Sequence, residues 1–304
     1  MNAPPFRWAL LSPHHWPAWL GVGLLRLVCL LPIPWLVRLG EGIGWLFGRL
    51  APGRRSVVRV NLKLCFPQQD EATRERAVNA HFRALGAGLF EACLAWWASD
   101  EQLRRQGEVV GIENLERAMA DGSGVLLLTG HFTTLELCAR YLLVYGQPFH
   151  AMYRPIKNPV MDFMMHRWRE NVAGLPPLPR EELRPLVRAL RDGRRVWYGP
   201  DQTLDRREGV FVPFFGVPTL MVTATSRLAQ MGRAKVVPYL PERIGSRYRV
   251  TVLPALENFP SGDDAADAAR IIGAIEEGVR RAPDQYFWVH RRFKVRPPGE
   301  KSPY

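Results

Sequence analysis

Three textures of apolar and polar positions follow one another along the chain. The first is a nearly uncharged run, WPAWLGVGLLRLVCLLPIPWLV, from Trp16 to Val37, interrupted only by Arg26. Its length matches the ~20 apolar residues that a membrane-crossing helix needs, and its tryptophans sit at the ends, where interfacial anchors belong. Pro32 and Pro34 predict a break, leaving an unbroken stretch from Pro17 to Leu31 that reaches only ~22 Å at ~1.5 Å per residue. The segment is read as membrane-anchoring, either as a full span or as a kinked helix inserted part-way, with a buried core helix as the alternative. The second texture is helical. LGEGIGWLFGRLAP predicts a short helix near the membrane, and RRSVVRVNLKLCFP a basic amphipathic helix ended by Pro67, lying on anionic headgroups or simply solvated. Residues 71–99 predict a long helix with Phe82, Leu85, Leu89 and Trp96 along one side.

From Val109 onward, short apolar runs alternate with helical stretches. Strands are expected at 124–130, 149–153, 194–199, 234–240 and 248–254, and helices at 133–145, 158–172, 181–192, 219–232 and 263–282. Strands separated by helical runs predict a mostly parallel sheet covered by helices. The last two strands, joined by PERIGSR, predict an antiparallel hairpin. The fold class is thus α/β: one domain over residues 53–304 with a helical N-terminal part, preceded by a membrane element at 1–52.

Composition changes this picture little and charge changes it more. A net charge of +12 calls for an anionic partner such as phospholipid headgroups, an acidic protein or nucleic acid. Nucleic acid is the weakest of these, because the basic residues are dispersed and no binding motif occurs. Cys29, Cys65, Cys93 and Cys138 are far apart in apolar contexts, which predicts buried free thiols rather than zinc ligands or disulfides. No small-x-small cleavage site follows the first apolar run, so a removed signal peptide fits poorly. Arg7 alone precedes that run, whereas Arg38, Arg49, Arg54, Arg55, Arg59 and Lys63 follow it, which places the rest of the chain on the cytoplasmic side.

The candidate chemistry lies at strand ends. GVLLLTG is wholly apolar and therefore buried, and His131 stands just beyond it, where open α/β sheets bind ligands. Glu136 follows five positions later. With the helix starting near Thr133, its carboxylate faces back and can orient the imidazole. Thr133 to Glu136 is equally a capping box, in which Glu136 only satisfies the Thr133 N–H. Arg154 and Lys157, in the proline-stiffened YRPIKNP, suit a phosphate. Asp201 in GPDQ stands at a third strand end, where a turn role is the alternative. VFVPFFGVPTL reads as the wall of an acyl-chain pocket or as plain core. WVHRRFKVRP adds basic residues for a phosphate or acidic partner, and His290 is a second catalytic candidate or a structural histidine. HExxH, P-loop, GxGxxG and GxSxG signatures are missing. With no evident Ser or Cys nucleophile, His131 would activate a substrate hydroxyl directly. Backbone N–H groups near Thr133 are candidate oxyanion donors.

GHFTTLE resembles the H-x4-D/E motif of the glycerolipid-type acyltransferases. Together with WLGVGLLRLVCLLPIPWLVRLGEGIG, NLKLCFP, GHFTTLELCAR, YRPIKNP, VWYGPDQ, VFVPFFGV and APDQYFWVHRRFKVRPPGEKSPY, the chain is similar over nearly its whole length to lipid A biosynthesis acyltransferases, most closely the lauroyl branch. The resemblance implies transfer of a fatty acyl chain from an acyl carrier protein thioester to a hydroxyl of a lipid A precursor. The reaction would take place at the cytoplasmic face of the inner membrane, with no metal or other cofactor. It implies His131 as general base, Glu136 as its orienting carboxylate, Arg154 at a substrate phosphate or helping to complete the site, and Asp201 in a further motif of undefined role. ENVAGLPPLPREEL (170–183) and DQTLDRREG (201–209) depart from the family pattern, and Asp205 is left without an assignment. The competing readings are an acyltransferase for a lysophospholipid or glycolipid, and a non-catalytic basic protein bound to membranes.

Overall fold

The computed structural model describes residues 6–179, 182–202 and 209–304. Two short 3-10 turns, Trp8–Leu11 and Pro13–His15, lead into helix α1 (Trp16–Val28). The chain breaks at Leu30 to Pro32 and resumes as α2 (Ile33–Leu50), with Pro32 as its N-cap and Pro34 in its first turn, where a missing N–H costs nothing. Next come α3 (Pro52–Cys65), α4 (Glu71–Trp97) and α5 (Asp100–Gln106). The α/β part follows as β1 (Gly107–Val110), α6 (Ile112–Met119), β2 (Val125–Leu128), α7 (Leu135–Val144), β3 (Met152–Tyr153), α8 (Pro159–Ala173), β4 (Leu178–Pro179) and α9 (Leu183–Arg191). It closes with β5 (Arg195–Tyr198), β6 (Val210–Phe214), β7 (Val217–Met221), α10 (Ala224–Gly232), β8 (Lys235–Ile244), β9 (Arg247–Val252) and α11 (Asp264–Arg281).

The main sheet has the order β1-β9-β8-β2-β5. Its pairings are parallel except for the β8–β9 hairpin, so the expected mostly parallel sheet with a terminal antiparallel hairpin is what forms. β2 lies between β8 and β5 and all four of its residues are buried, as a continuous apolar strand requires. Apolar clusters on the two faces of the sheet make the core. One gathers α3, α9, α10, α11 and the C-terminal aromatics; the other gathers α2, α4, α7 and β9.

The pattern missed four strands: β1, the two-residue β4, and the pair β6 and β7. β1 reads as loop because half of its residues face water, yet it pairs in parallel with β9. VFVPFFGVPTL does not run into a helix at 219, since α10 begins only at Ala224. It folds as the antiparallel hairpin β6–β7, turning at Phe215 and Gly216, both with positive φ. Its Phe214 is fully buried among Tyr286, Trp288 and Phe293. On α4, the buried side runs through Phe82, Gly86, Phe90 and Cys93, while Leu89 faces out.

The N-terminal expectation needs correction. Among the described residues no helix is long and apolar enough to cross a membrane. Prolines divide the apolar run into α1, too short to span, and α2, which carries charges and buries one face against α4. That packing is a backbone-to-backbone seam. A Cβ at Gly40 would lie 2.6 Å from Gly86 O, and one at Gly44 would lie 2.0 Å from Phe82 O. The opposite faces are left apolar and uncovered: Leu20, Leu24, Leu27, Leu30, Trp35, Leu39, Ile43, Leu46 and Leu50 are exposed, Leu20 and Leu50 at 73% each. Gly44→Ala is expected to force the two helices apart and cost about 1–3 kcal/mol of stability, measured by denaturant unfolding in detergent; an unchanged midpoint would show that the seam tolerates a methyl group.

Candidate active site

Register brings the central pair together. β2 and β5 run parallel with Leu128 opposite Tyr198, so the third residue beyond each strand, His131 and Asp201, emerges side by side. The Asp201 carboxylate grips both ends of the histidine: Oδ2 accepts the His131 backbone N–H at 2.8 Å, and Oδ1 lies 2.5 Å from Nδ1. The Asp201 side chain is only 1% exposed, whereas that of His131 is 27% exposed. Space for this contact comes from Gly199, where a Cβ would lie 3.0 Å from His131 Cε1. Trp197 stands edge-on to the imidazole at 5.8 Å, its own Nε1–H held by the Tyr239 hydroxyl at 2.8 Å.

Burial pushes the Asp201 carboxyl up, but the adjacent His131, its two hydrogen bonds and the nearby Arg292 outweigh this and hold it at about 2. Asp201 is therefore a carboxylate at working pH and can only accept. Nδ1 of His131 is then the donor, and in the neutral ring Nε2 carries a free lone pair. Tyr286, buried, reaches the same carboxylate, and its phenol is pushed well up by burial first and by Asp201 second. His290 is lowered to about 4, by burial first and then by Arg292. It is neutral at working pH.

Glu136 does not cap α7: the Thr133 N–H donates to Gln285 O at 2.7 Å, and Thr134, not Thr133, is the N-cap residue. The carboxylate on Nδ1 of His131 belongs to Asp201, and among the described residues Glu136 makes no hydrogen bond to the imidazole. It pairs instead with Arg169 of α8 at 3.4 Å, and Arg169 also donates to Met152 O. The pair sits on a small, otherwise apolar cleft of about 40 Å³, partly open to solvent, with Leu135, Ala139, Phe149, Ala151, Met152, Val172 and Trp197 around it. Trp197 is thus shared, touching His131 on one side and the cleft on the other.

Arg154 and Lys157 are exposed on the loop between β3 and α8. Asp162 pins that loop from below, accepting the Ile156 N–H at 2.7 Å and the Tyr153 hydroxyl. The two basic residues lie at the surface, and among the described residues neither makes a contact with the His131–Asp201 pair. Asp205 lies outside the described residues. The Thr133 N–H, proposed for an oxyanion, is occupied by Gln285. Sequence reasoning missed Arg169 altogether. Its only signal was an arginine one α-helix beyond a strand end, and nothing marks it apart from its neighbour Arg167.

Residues 3–295 match the family model of the bacterial lipid A biosynthesis acyltransferases. The chain belongs to that family. It is 40% identical over 306 residues to the lipid A biosynthesis lauroyltransferase of Escherichia coli, covering 100% of this chain and 99% of that protein. It is 38% identical to the palmitoleoyltransferase of the same organism (97% and 96% covered) and 30% identical to the myristoyltransferase (99% and 94%). As a lipid A biosynthesis acyltransferase the protein is an enzyme, and the likeness runs through the N-terminal helices as well as the site.

Asp201 also makes a pH prediction. Its folded value lies below the ordinary ~4 of a carboxyl, so its stabilisation is complete above ~4 and is lost as pH falls through about 2. Asp201→Asn is expected to flatten the acid limb of stability between about pH 4 and about pH 2, followed by circular dichroism. An acid limb identical to wild type would mean the contact carries no coupling.

Proposed function

We propose that the protein transfers a fatty acyl chain from an acyl carrier protein thioester to a hydroxyl of a lipid A precursor, with His131 as general base. The observation that carries this reading is the polarity of the pair: a buried, ionised Asp201 on Nδ1, and a bare Nε2 on the open side beside an apolar cleft. The acceptor hydroxyl gives its proton to Nε2 as its oxygen attacks the thioester carbonyl. The C–S bond then breaks, the imidazolium returns the proton to the departing sulfur, and an ester remains. Asp201 holds the ring and stabilises its charge between these steps. The apolar lining of the cleft beside Trp197 suits the first carbons of the acyl chain, next to its carbonyl. Arg169, its charge balanced by Glu136, lies where a developing oxyanion or the thioester carbonyl would be met. Arg154 and Lys157 suit the phosphates of the acceptor or the acidic carrier protein. No residue arrangement in this scheme calls for a metal or organic cofactor.

The membrane part of the proposal is interfacial. Residues 1–52 rest on the inner membrane with the uncovered apolar faces of α1 and α2 immersed, and the α/β domain (53–304) stands on the cytoplasmic side. Arg38 and Arg49, on α2, suit headgroup phosphates. Leu24→Asp with Leu27→Asp is expected to abolish flotation with vesicles containing anionic lipid while leaving the circular dichroism unchanged; persistence of binding would require another seat.

The central test is transfer in detergent with a tetra-acylated precursor and carrier-protein thioesters, read by mass spectrometry. One added chain is expected, and His131→Ala should lower its rate by ~10²–10⁴. Glu136→Gln, which releases Arg169 without changing shape, should lower kcat/KM by roughly 10-fold or more. No product from folded wild type, with activity on another lipid alcohol, would overturn the acceptor.

A further inference from the structure

Residues 283–293 belong to no helix or strand, and buried backbone of that kind must find partners elsewhere. Side chains from the elements around this segment supply them. Nδ1 of His81, on α4, meets Asp284 O at 3.0 Å; burial lowers this imidazole to about 4, so it stays neutral. Asn61 of α3 donates to Trp288 O at 2.7 Å and to His290 O at 2.8 Å. The Tyr304 hydroxyl donates to Asn61 and accepts the Phe293 N–H at 2.9 Å. The Gln285 amide, nearly buried, engages both backbone groups of Arg243 on β8, at 2.8 and 2.9 Å.

The other side of the segment faces the catalytic loop. Gln285 O accepts the Thr133 N–H, and the Phe287 N–H donates to His131 O at 2.9 Å. Between these two contacts, Phe132 and Tyr286 form an antiparallel bridge. His131 is thus held by its N–H on Asp201 and by its C=O on Phe287. The loop after β2 has no neighbouring strand at this point, and the segment acts as one.

We propose that residues 283–293 form a strap that positions His131 against Asp201, with Gln285 as its principal positioning residue. Gln285 touches neither reacting atoms nor Asp201; it acts through the peptide groups of Thr133, Phe132 and His131. Its amide fixes the strap to β8, and the Arg243 side chain that projects from the same residue is anchored on buried Glu91 at 2.8 Å. The inference rests on His131 being the base.

The experiment compares wild type, Gln285→Met, Tyr304→Phe and His131→Ala, all full-length in detergent. It measures kcat, KM for both substrates, unfolding midpoint and the strongly deshielded Nδ1 proton of a histidine bonded to carboxylate, seen with 15N-histidine labelling. Gln285→Met should lose roughly 10- to 100-fold in kcat with KM unchanged, and its deshielded resonance should move or broaden. Tyr304→Phe, at the far end of the strap, should shift both readouts the same way by less. A folded Gln285→Met with wild-type kcat and an unmoved resonance overturns the proposal, as does a loss of rate that only tracks the unfolded fraction. If Gln285→Met does not fold, Tyr304→Phe decides by the same two readouts. Retained transfer in His131→Ala would instead defeat the base assignment, and the resonance would still report on the strap.

Discussion

The buried charge of Asp201 is the constraint around which the rest of the site is built. A carboxylate removed from water is costly unless hydrogen bonds and opposite charge replace its hydration. Here the replacement is His131, which offers both its backbone and its ring, with Tyr286 and Arg292 behind. Because one carboxylate serves both groups, the imidazole cannot turn without giving up part of that compensation. The cost of burying the ion is what makes the base rigid. Gly199 follows from the same demand, since a Cβ there would press on both the imidazole and the Trp197 ring, at 3.0 and 2.8 Å.

Two acid–base pairs line the site. In the first, Nδ1 of half-exposed His131 is taken by the buried carboxylate of Asp201. Glu136 with Arg169 is a balanced ion pair on the rim of an apolar cleft, part-exposed and linked to different elements, α7 and α8. Trp197 is the wall between them. An apolar chain placed in the cleft would bring its polar end to that wall, within range of both pairs.

Much of this was legible in the sequence, and the rest was hidden for identifiable reasons. His131 was readable because a fully apolar run has to be buried, and the residue just beyond such a run stands at a strand end. Asp201 was recognised as a strand-end residue, but its partnership was not. That depends on β2 and β5 being neighbours in register, which neither segment states alone. Glu136 was ambiguous because the spacing H-x4-E offers both a cap and an orienting carboxylate, while the strap took the Thr133 N–H and Asp201 took Nδ1 of the imidazole. Arg169 was invisible for the reason Asp201 was partly so: its partner is distant in sequence. The apolar N-terminal run had the length of a span, but Pro32 and Pro34 cut it and the glycines of α2 turned half of it toward α4. The β6–β7 hairpin hid behind its own prolines, which argue against strands except where, as here, only one partner is paired.

The glycine seam has a mechanical meaning. Helices held apart by leucines can slide, because side chains rearrange; helices in backbone contact have nothing left to rearrange. α2 is therefore a foot welded to α4, and α4 is bolted to the sheet and to the strap. Were that foot to stand on a bilayer, as proposed, the height of His131 above the lipid surface would be set by the protein's own dimensions, and the lipid would have to rise to meet it.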